Sequence, residues 1–197
     1  MRPGRTFGDA GQAFPIYITV VGGLLFLALA YFAVGQAAAT RSEAQTAADA
    51  AALAAALETR DQLADEWLAN LLEPDSWQDI FDGKTSAPNA CWRAHELAAR
   101  NDATVSCSPD GLLAYKVVAE TNETVGDTIV PGTESQKATE TATAVIEPRC
   151  SFELSTGDAG DDTLPSLSCK GEDWDLSPDN LLDLPKPEDL FDVHLAD

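Results

Sequence analysis

Four cysteines and two histidines are the residues of this sequence most suited to catalysis, metal binding or disulfide formation. The cysteines are Cys91, Cys107, Cys150 and Cys169, and no two of them form a C-x-x-C pair. The histidines, His95 and His194, have no cysteine or carboxylate at a spacing typical of catalysis. We therefore expect no enzymatic activity, no cofactor and no metal site, and we interpret His95 as a helix-face residue.

The acidic residues and one sequon were also considered as binding or modification sites. The acidic clusters lack the D-x-[DN]-x-[DN]-G order of a calcium loop, so only weak cation binding is expected of them. Asn122-Glu123-Thr124 matches the short N-glycosylation sequon. The net charge is -21, from 33 acidic and 12 basic residues. Such a charge repels phosphate backbones, which excludes nucleic acid as a partner.

A long uncharged stretch near the N-terminus predicts a membrane-spanning helix. From Phe14 to Gly35 no residue is charged, and about 22 residues span about 33 Å, enough to cross a bilayer core of roughly 30 Å. Two arginines precede this stretch and an acidic excess follows it. The positive-inside rule then makes 1–13 a cytoplasmic leader and 14–36 a single transmembrane helix in the cell membrane, with the rest extracytoplasmic.

A cleaved signal peptide is the alternative, because the small residues of 36–39 imitate a peptidase site. Signal h-regions are shorter, at about 7 to 15 residues. The segment 37–72 also contains no Pro or Gly and is rich in Ala, Leu, Glu, Gln and Arg, so it should continue the helix out of the membrane. We assign 37–73 as an extracytoplasmic stalk helix.

The stalk helix has apolar residues close to helical spacing, which predict a packing face that needs a partner. The residues assigned to this face are Leu53, Leu57, Trp67, Leu68 and Leu71. Membrane lipid contacts the helix below this face. The small residues of the membrane segment also allow a helix-mediated oligomer.

A small head follows in 74–148, and its pattern predicts an α+β fold. Pro74 ends the stalk, 77–81 form a short amphipathic turn closed by Gly83, and 90–100 form a second helix. The pattern then changes to a period of two, with strands expected at 104–107, 112–121 and 137–146, or about three antiparallel strands. The tail, 149–197, is acidic and is expected to be largely disordered, with a short docking segment as an alternative for its apolar residues.

An even number of cysteines on the outer side of a membrane indicates disulfides, although four cysteines allow three connectivities. The helix from Cys91 to Arg100 covers about 13.5 Å and the return along a strand to Cys107 about 13 Å, so this pair can meet. That pairing leaves Cys150 with Cys169. Free, buried or metal-binding thiols are the alternative.

Two stretches resemble a known family. Gly11 to Leu57, which reads GQAFPIYITVVGGLLFLALAYFAVGQAAATRSEAQTAADAAALAAAL, is similar to the N-terminal segment of bacterial Tad/Flp pilus-assembly proteins of the TadE/TadG-like type. Gln45 to Leu57 is its most specific part. Glu96 to Val118 resembles the helix, strand and hairpin of shorter members. The resemblance covers roughly 8–148.

The resemblance implies a pilin-like stalk and a role as a minor pseudopilin or envelope component of the pilus machine. It also implies other pilus-assembly or envelope proteins as partners. Prepilin processing requires a Glu five residues after a Gly. At that distance Gly11 is followed by Ile16 and Gly4 by Asp9. We therefore expect a fixed, non-enzymatic membrane component. The alternative is a free-standing, membrane-anchored binding module that uses its acidic tail.

Overall fold

The computed structural model of the protein describes residues 13–85, 87–124, 135–154, 164–176 and 184–196. Most of the predicted leader, both glycines considered for prepilin processing, and the acidic run 158–162 of the tail lie outside these residues. Within the described residues the fold combines one very long helix, shorter helices and two antiparallel sheets. The predicted α+β class is confirmed.

The first helix, α1, runs without interruption from Ala13 to Ala69 over 57 residues, about 86 Å at 1.5 Å per residue. It ends three residues earlier than predicted, and a turn leads to α2, Pro74–Phe81. Pro74 at the first turn of α2 suits the fixed φ of proline. The Trp77 indole N–H donates to the carbonyl oxygen of Asn70 at 3.0 Å, and the same carbonyl accepts the backbone N–H of Glu73 at 2.9 Å. This side-chain bond ties α2 to the turn after α1.

Helix α3, Cys91–Arg100, follows the predicted second helix closely. Asp102, two residues after the end of α3, has a φ of 50°, a left-handed conformation of the kind that often ends a helix. Gly83, which was expected to close the amphipathic turn, has a φ of 67° beside Leu113. An added Cβ would lie 2.7 Å from the Leu113 side chain, so this close approach requires glycine.

The main sheet is antiparallel and has the strand order β1-β2-β3-β7. Its strands are β1, Ala103–Pro109; β2, Ala114–Thr121; β3, Thr139–Pro148; and β7, Phe191–Leu195. A second sheet joins β4, Cys150–Phe152; β5, Leu167–Cys169; and β6, Glu172–Trp174. A single turn, α4, Pro187–Leu190, leads into β7.

The prediction of a largely disordered tail is wrong for its described parts. Phe191, Val193 and Leu195 alternate with polar residues, and β7 pairs with β3 from Pro148↔Phe191 to Ala144↔Leu195. The three predicted strands therefore become four. The alternation directs Phe191 into the head, and Leu190 at the end of α4 is buried as well. This burial of apolar side chains outweighs the repulsion expected from the acidic composition.

Alanines let the second half of α1 lie close to the sheet. Those at positions 44, 47, 48, 51, 52, 55 and 56 are 0% exposed. The inner face of the sheet meets them with small and medium side chains, among them Val117, Ala119 and Ala144. Methyl groups on the helix allow close approach of helix and sheet, so this half of α1 is part of the core of the head.

Aromatic rings fill the end of the head farthest from the N-terminal half of α1. The Trp67 and Trp77 ring centroids are 5.5 Å apart, and those of Trp77 and Phe152 are 5.2 Å apart. Phe81 lies 5.5 Å from Phe191. This cluster joins α1 and α2 to β4 and to β7, so two strands of the tail complete the core.

Candidate interaction surface

The residues assigned to the packing face do not share one environment. Trp67 and Leu71 are 1% and 5% exposed and belong to the core, whereas Leu57 and Leu68 are 38% and 46% exposed. Leu53 is half-buried. The residues assigned to the face thus divide into two groups: Trp67 and Leu71 contact the chain's own head, whereas Leu57 and Leu68 face solvent.

This division arises because the buried residues of α1 form a stripe that winds around the helix axis. Buried residues recur every fourth position, at 47, 51, 55, 59, 63, 67 and 71. Four residues turn the helix by about 400°, so each step moves the stripe by about 40°. Leu57 therefore lies away from the head although Trp67, three turns later, lies within it.

The solvent-facing side of α1 forms a continuous uncharged strip that follows the predicted membrane segment. We name it the outer seam and define it as Ala39, Ser42, Thr46, Ala50, Leu53 and Leu57. At 100° per residue these positions fall within an arc of about 80°. Of these six residues, Ala50 and Leu53 are half-buried and the others are exposed. A second helix could therefore approach α1 closely along this strip.

A groove lies beside the upper end of the outer seam, between α1 and α3. It encloses about 350 Å³, and Leu97 of α3 lines the side opposite Leu53 and Leu57. Its rim carries Arg60 and Arg93. Each of these has a carboxylate partner, Asp61 for the first and Glu96 for the second. The groove is thus lined by apolar side chains of both helices together with charged residues, and each of its two arginines is paired with a carboxylate.

Two disulfides tie the head together, and all four cysteines are paired. The bond from Cys91 to Cys107 joins α3 to β1, with Cα atoms 5.6 Å apart. The bond from Cys150 to Cys169 joins β4 to β5. Helix and strand lengths favoured this same pairing. Both disulfides lie in the part of the chain expected outside the membrane.

The histidines lie apart from one another. His95 is exposed on α3, and His194 is on the outer side of β7. The Nδ1 atom of His194 lies 3.7 Å from Asp192, and its Nε2 atom lies 4.0 Å from Glu147. Among the described residues no three potential metal ligands come together.

Two opposite charges on the surface after α2 change each other's pKa. The Lys84 ammonium bonds the Asp82 carboxylate at 2.9 Å and lowers the pKa of that carboxyl group. The same bond to Asp82, with a weaker one to Asp79, raises the pKa of Lys84. Both groups are solvent-exposed ions in an ordinary pair, which does not prepare either of them for acid–base chemistry.

A buried polar contact between α1 and β2 was not anticipated. The hydroxyl oxygens of Thr59 and Tyr115 are 2.8 Å apart, and the backbone N–H of Ala90 donates to the Tyr115 oxygen at 3.3 Å. Thr59 and Tyr115 are 3% and 5% exposed. The available signal was Thr59 itself, a polar residue in the every-fourth-residue series of buried positions on α1.

By length and composition, α1 is the one helix among the described residues able to cross a membrane. Its most apolar window has a mean hydropathy of 2.2, and none of that window is buried in the protein. Large apolar side chains such as Phe26, Tyr31 and Val34 are 70%, 83% and 70% exposed. In water that surface would be costly, and a bilayer would cover it.

Comparison with known proteins connects this helix to pilus assembly. No curated protein and no solved structure matches the chain. Residues 11–58 match the family model described as "Putative Flp pilus-assembly TadE/G-like". The match ends on α1, so the head lies outside it. The resemblance stated for Gly11 to Leu57 is confirmed, and this segment is similar to the TadE/G-like family of Flp pilus-assembly proteins, which supports a pilus-assembly role.

Proposed function

We propose that the chain is a non-enzymatic, single-pass membrane component of a Tad/Flp-type pilus or secretion assembly, similar to a minor pseudopilin. Residues 14–36 anchor it in the cell membrane, 1–13 are cytoplasmic, and the head is extracytoplasmic. One observation carries the proposal. The apolar segment and the helix that packs on the sheet are the same uninterrupted helix.

Because α1 has no break, the head is held at a defined height and angle above the membrane. Arg41 forms an ion pair with Glu140 of β3, and Ala44 is the first fully buried residue. Arg41 lies about six residues, or about 9 Å, beyond Gly35. No flexible linker separates the anchor from the head. A rigid connection of this kind favours a component that holds partner proteins in place over a receptor that captures a ligand.

The outer seam is the surface on which we place the partner. Below Gly35 lipid covers the corresponding side of α1, whereas above it the strip faces water. A partner that covers the strip from the membrane surface to Leu57 has to be a helix emerging from the same bilayer. Other pilus-assembly or envelope proteins, or a second copy of the chain, meet this requirement.

The alternative, a binding module that acts through its acidic tail, is less well supported. Strand β7 and the aromatic contact of Phe152 make parts of the tail structural. Removing residues 150–197 would therefore damage the head and could not separate the two hypotheses. Neutralising Glu172, Asp173 and Asp175, which are exposed, tests the tail without removing a strand.

The test is affinity purification of the full chain from detergent-solubilised membranes, with its intact mass read in the same sample. Leu53→Gln with Leu57→Gln should reduce recovery of partner proteins about tenfold or more, because each polar amide would interrupt the apolar seam. Leu112→Gln is the matched control, since Leu112 is 62% exposed in the turn before β2.

Three results would reject parts of this proposal. Unchanged partner recovery with both seam substitutions would remove the seam as the contact surface. Loss of recovery with the tail neutralised but the seam intact would favour the binding module. A shortened chain released from the membrane would show that the apolar segment is a cleaved signal.

A further inference from the structure

The turn after β2 presents an asparagine in a form that a glycosyl-transferring enzyme could use. Asn122, Glu123 and Thr124 follow directly after the last residue of β2, and all three are exposed. Asn-x-Thr with no proline in the middle is the acceptor sequence for N-glycosylation of exported chains. A three-residue match is common in protein sequences, so the structure around it has to show whether the asparagine is accessible for modification.

The setting holds the asparagine at the surface by its oxygen. The Thr104 hydroxyl donates to Oδ1 of Asn122 at 2.8 Å, and the Asn122 backbone N–H donates to the carbonyl of Asp102 at 2.8 Å. The side-chain bond uses the amide oxygen and does not engage Nδ2, the atom that would be glycosylated. Nearby Asn101 differs, because its Nδ2 donates to the carbonyl of Leu97.

The turn also lies at the end of the head nearest the membrane. Thr121 and Glu123 share a surface depression with Asp102 and with Glu43 of α1. Glu43 is about eight residues beyond Gly35, which places this depression about 12 Å above the end of the apolar segment. A sugar donor carried on a membrane lipid would reach such a position without the head having to bend.

We propose that Asn122 is an N-glycosylation site, modified by an oligosaccharyltransferase that uses a lipid-pyrophosphate-linked oligosaccharide. Nδ2 of Asn122 forms a bond to the anomeric carbon of the first sugar. The bond from that carbon to the pyrophosphate oxygen breaks, and its electron pair leaves with the lipid pyrophosphate. One amide proton passes to a base of the transferase. The inference rests on the extracytoplasmic placement of the head under the proposed function.

Burial makes the modification compatible with the fold. Thr121, the residue before the site, is 4% exposed and its backbone continues the ladder to β3, whereas the chain from Asn122 to Thr124 is outside the core. A glycan on Asn122 would project into solvent and displace no buried side chain.

The test uses the full chain purified from the membranes of its own host, with intact mass and peptide mapping by mass spectrometry. We expect added mass confined to the peptide that contains residue 122. Asn122→Gln and Thr124→Ala should each abolish it, whereas Thr124→Ser should keep it. Asn101→Gln is the matched control, because Asn101 is exposed but is followed two residues later by Ala103.

The outcomes separate this inference from the proposed function. A membrane-anchored chain with both disulfides formed and no added mass at Asn122 would overturn glycosylation and leave the placement intact. A chain with four free thiols and no added mass would overturn both. Added mass that persists in the Thr124→Ala variant would also overturn the assignment, because the sequon would then not direct it.

Discussion

At the scale of single residues, the contact between Thr59 and Tyr115 fixes how the long helix meets the sheet. From Ala44 to Ala56 the buried face of α1 is made of alanines, whose methyl groups pack with little directional preference. A buried hydrogen bond requires a particular distance and angle, so it selects one register of helix on sheet. The Ala90 N–H donates to the same tyrosine oxygen, so the start of α3 is aligned by the same group.

Tyr115→Phe should lower the free energy of unfolding by about 1–3 kcal/mol, because it leaves the Thr59 hydroxyl and the Ala90 N–H buried without their partner. Denaturant unfolding in detergent, followed by the fluorescence of buried Trp67 and Trp77, measures the change. Thr59→Val combined with Tyr115→Phe should cost less than the sum of the two single changes. Strict additivity would mean that the two hydroxyls do not interact.

Elements with a strong local signal were predicted well from the sequence. Helix α3 and strands β1 to β3 lie within a few residues of their expected bounds, since helical spacing and alternation are both readable from neighbouring residues. Strand β7 was missed because it has only five residues, lies in an acidic segment and pairs with a strand far away in the chain. The composition of a segment gives no information about a distant partner, and here the partner is the free edge of β3 with which β7 pairs.

The candidate surface was predictable only in part for a related reason. The apolar residues of α1 could be identified, but which of them face the head depends on how the buried stripe rotates along the helix. The first part of that stripe consists of alanines, which carry almost no signal in a hydrophobic pattern because they are common on every side of α1. Leu57 and Trp67 therefore looked equivalent before the fold was known.

The alanine stripe gives a direct prediction at this scale. Ala51→Leu should destabilise the head by about 1–3 kcal/mol, because Ala51 is 0% exposed and a larger side chain would push α1 away from the sheet. Ala99→Leu, the same substitution at an exposed position of α3, should change stability by less than about 0.5 kcal/mol. The same denaturant experiment measures both, and equal effects would contradict close packing of helix on sheet.

At the scale of the whole molecule, charge and covalent structure agree on one placement. The uncharged segment of α1 separates a basic N-terminus, where Arg2 and Arg5 outnumber Asp9, from the rest of the chain, which carries the acidic excess behind the net charge of -21. Two disulfides are stable in oxidising surroundings, which lie outside the cell membrane. The direction in which α1 crosses the membrane therefore determines on which side the head lies, and chemical labelling can measure it.

Introduced cysteines can report that placement, because all four native cysteines are paired. Thr141→Cys puts a thiol on the exposed face of β3, and Thr6→Cys puts one in the N-terminal segment. In intact spheroplasts a membrane-impermeant maleimide should label Thr141→Cys fully and Thr6→Cys only after permeabilisation, since a single helix separates the two positions. The reverse pattern would invert the orientation. Labelling of Thr141→Cys on a chain that has lost residue 6 would instead identify a cleaved signal, and the head would then act without its anchor.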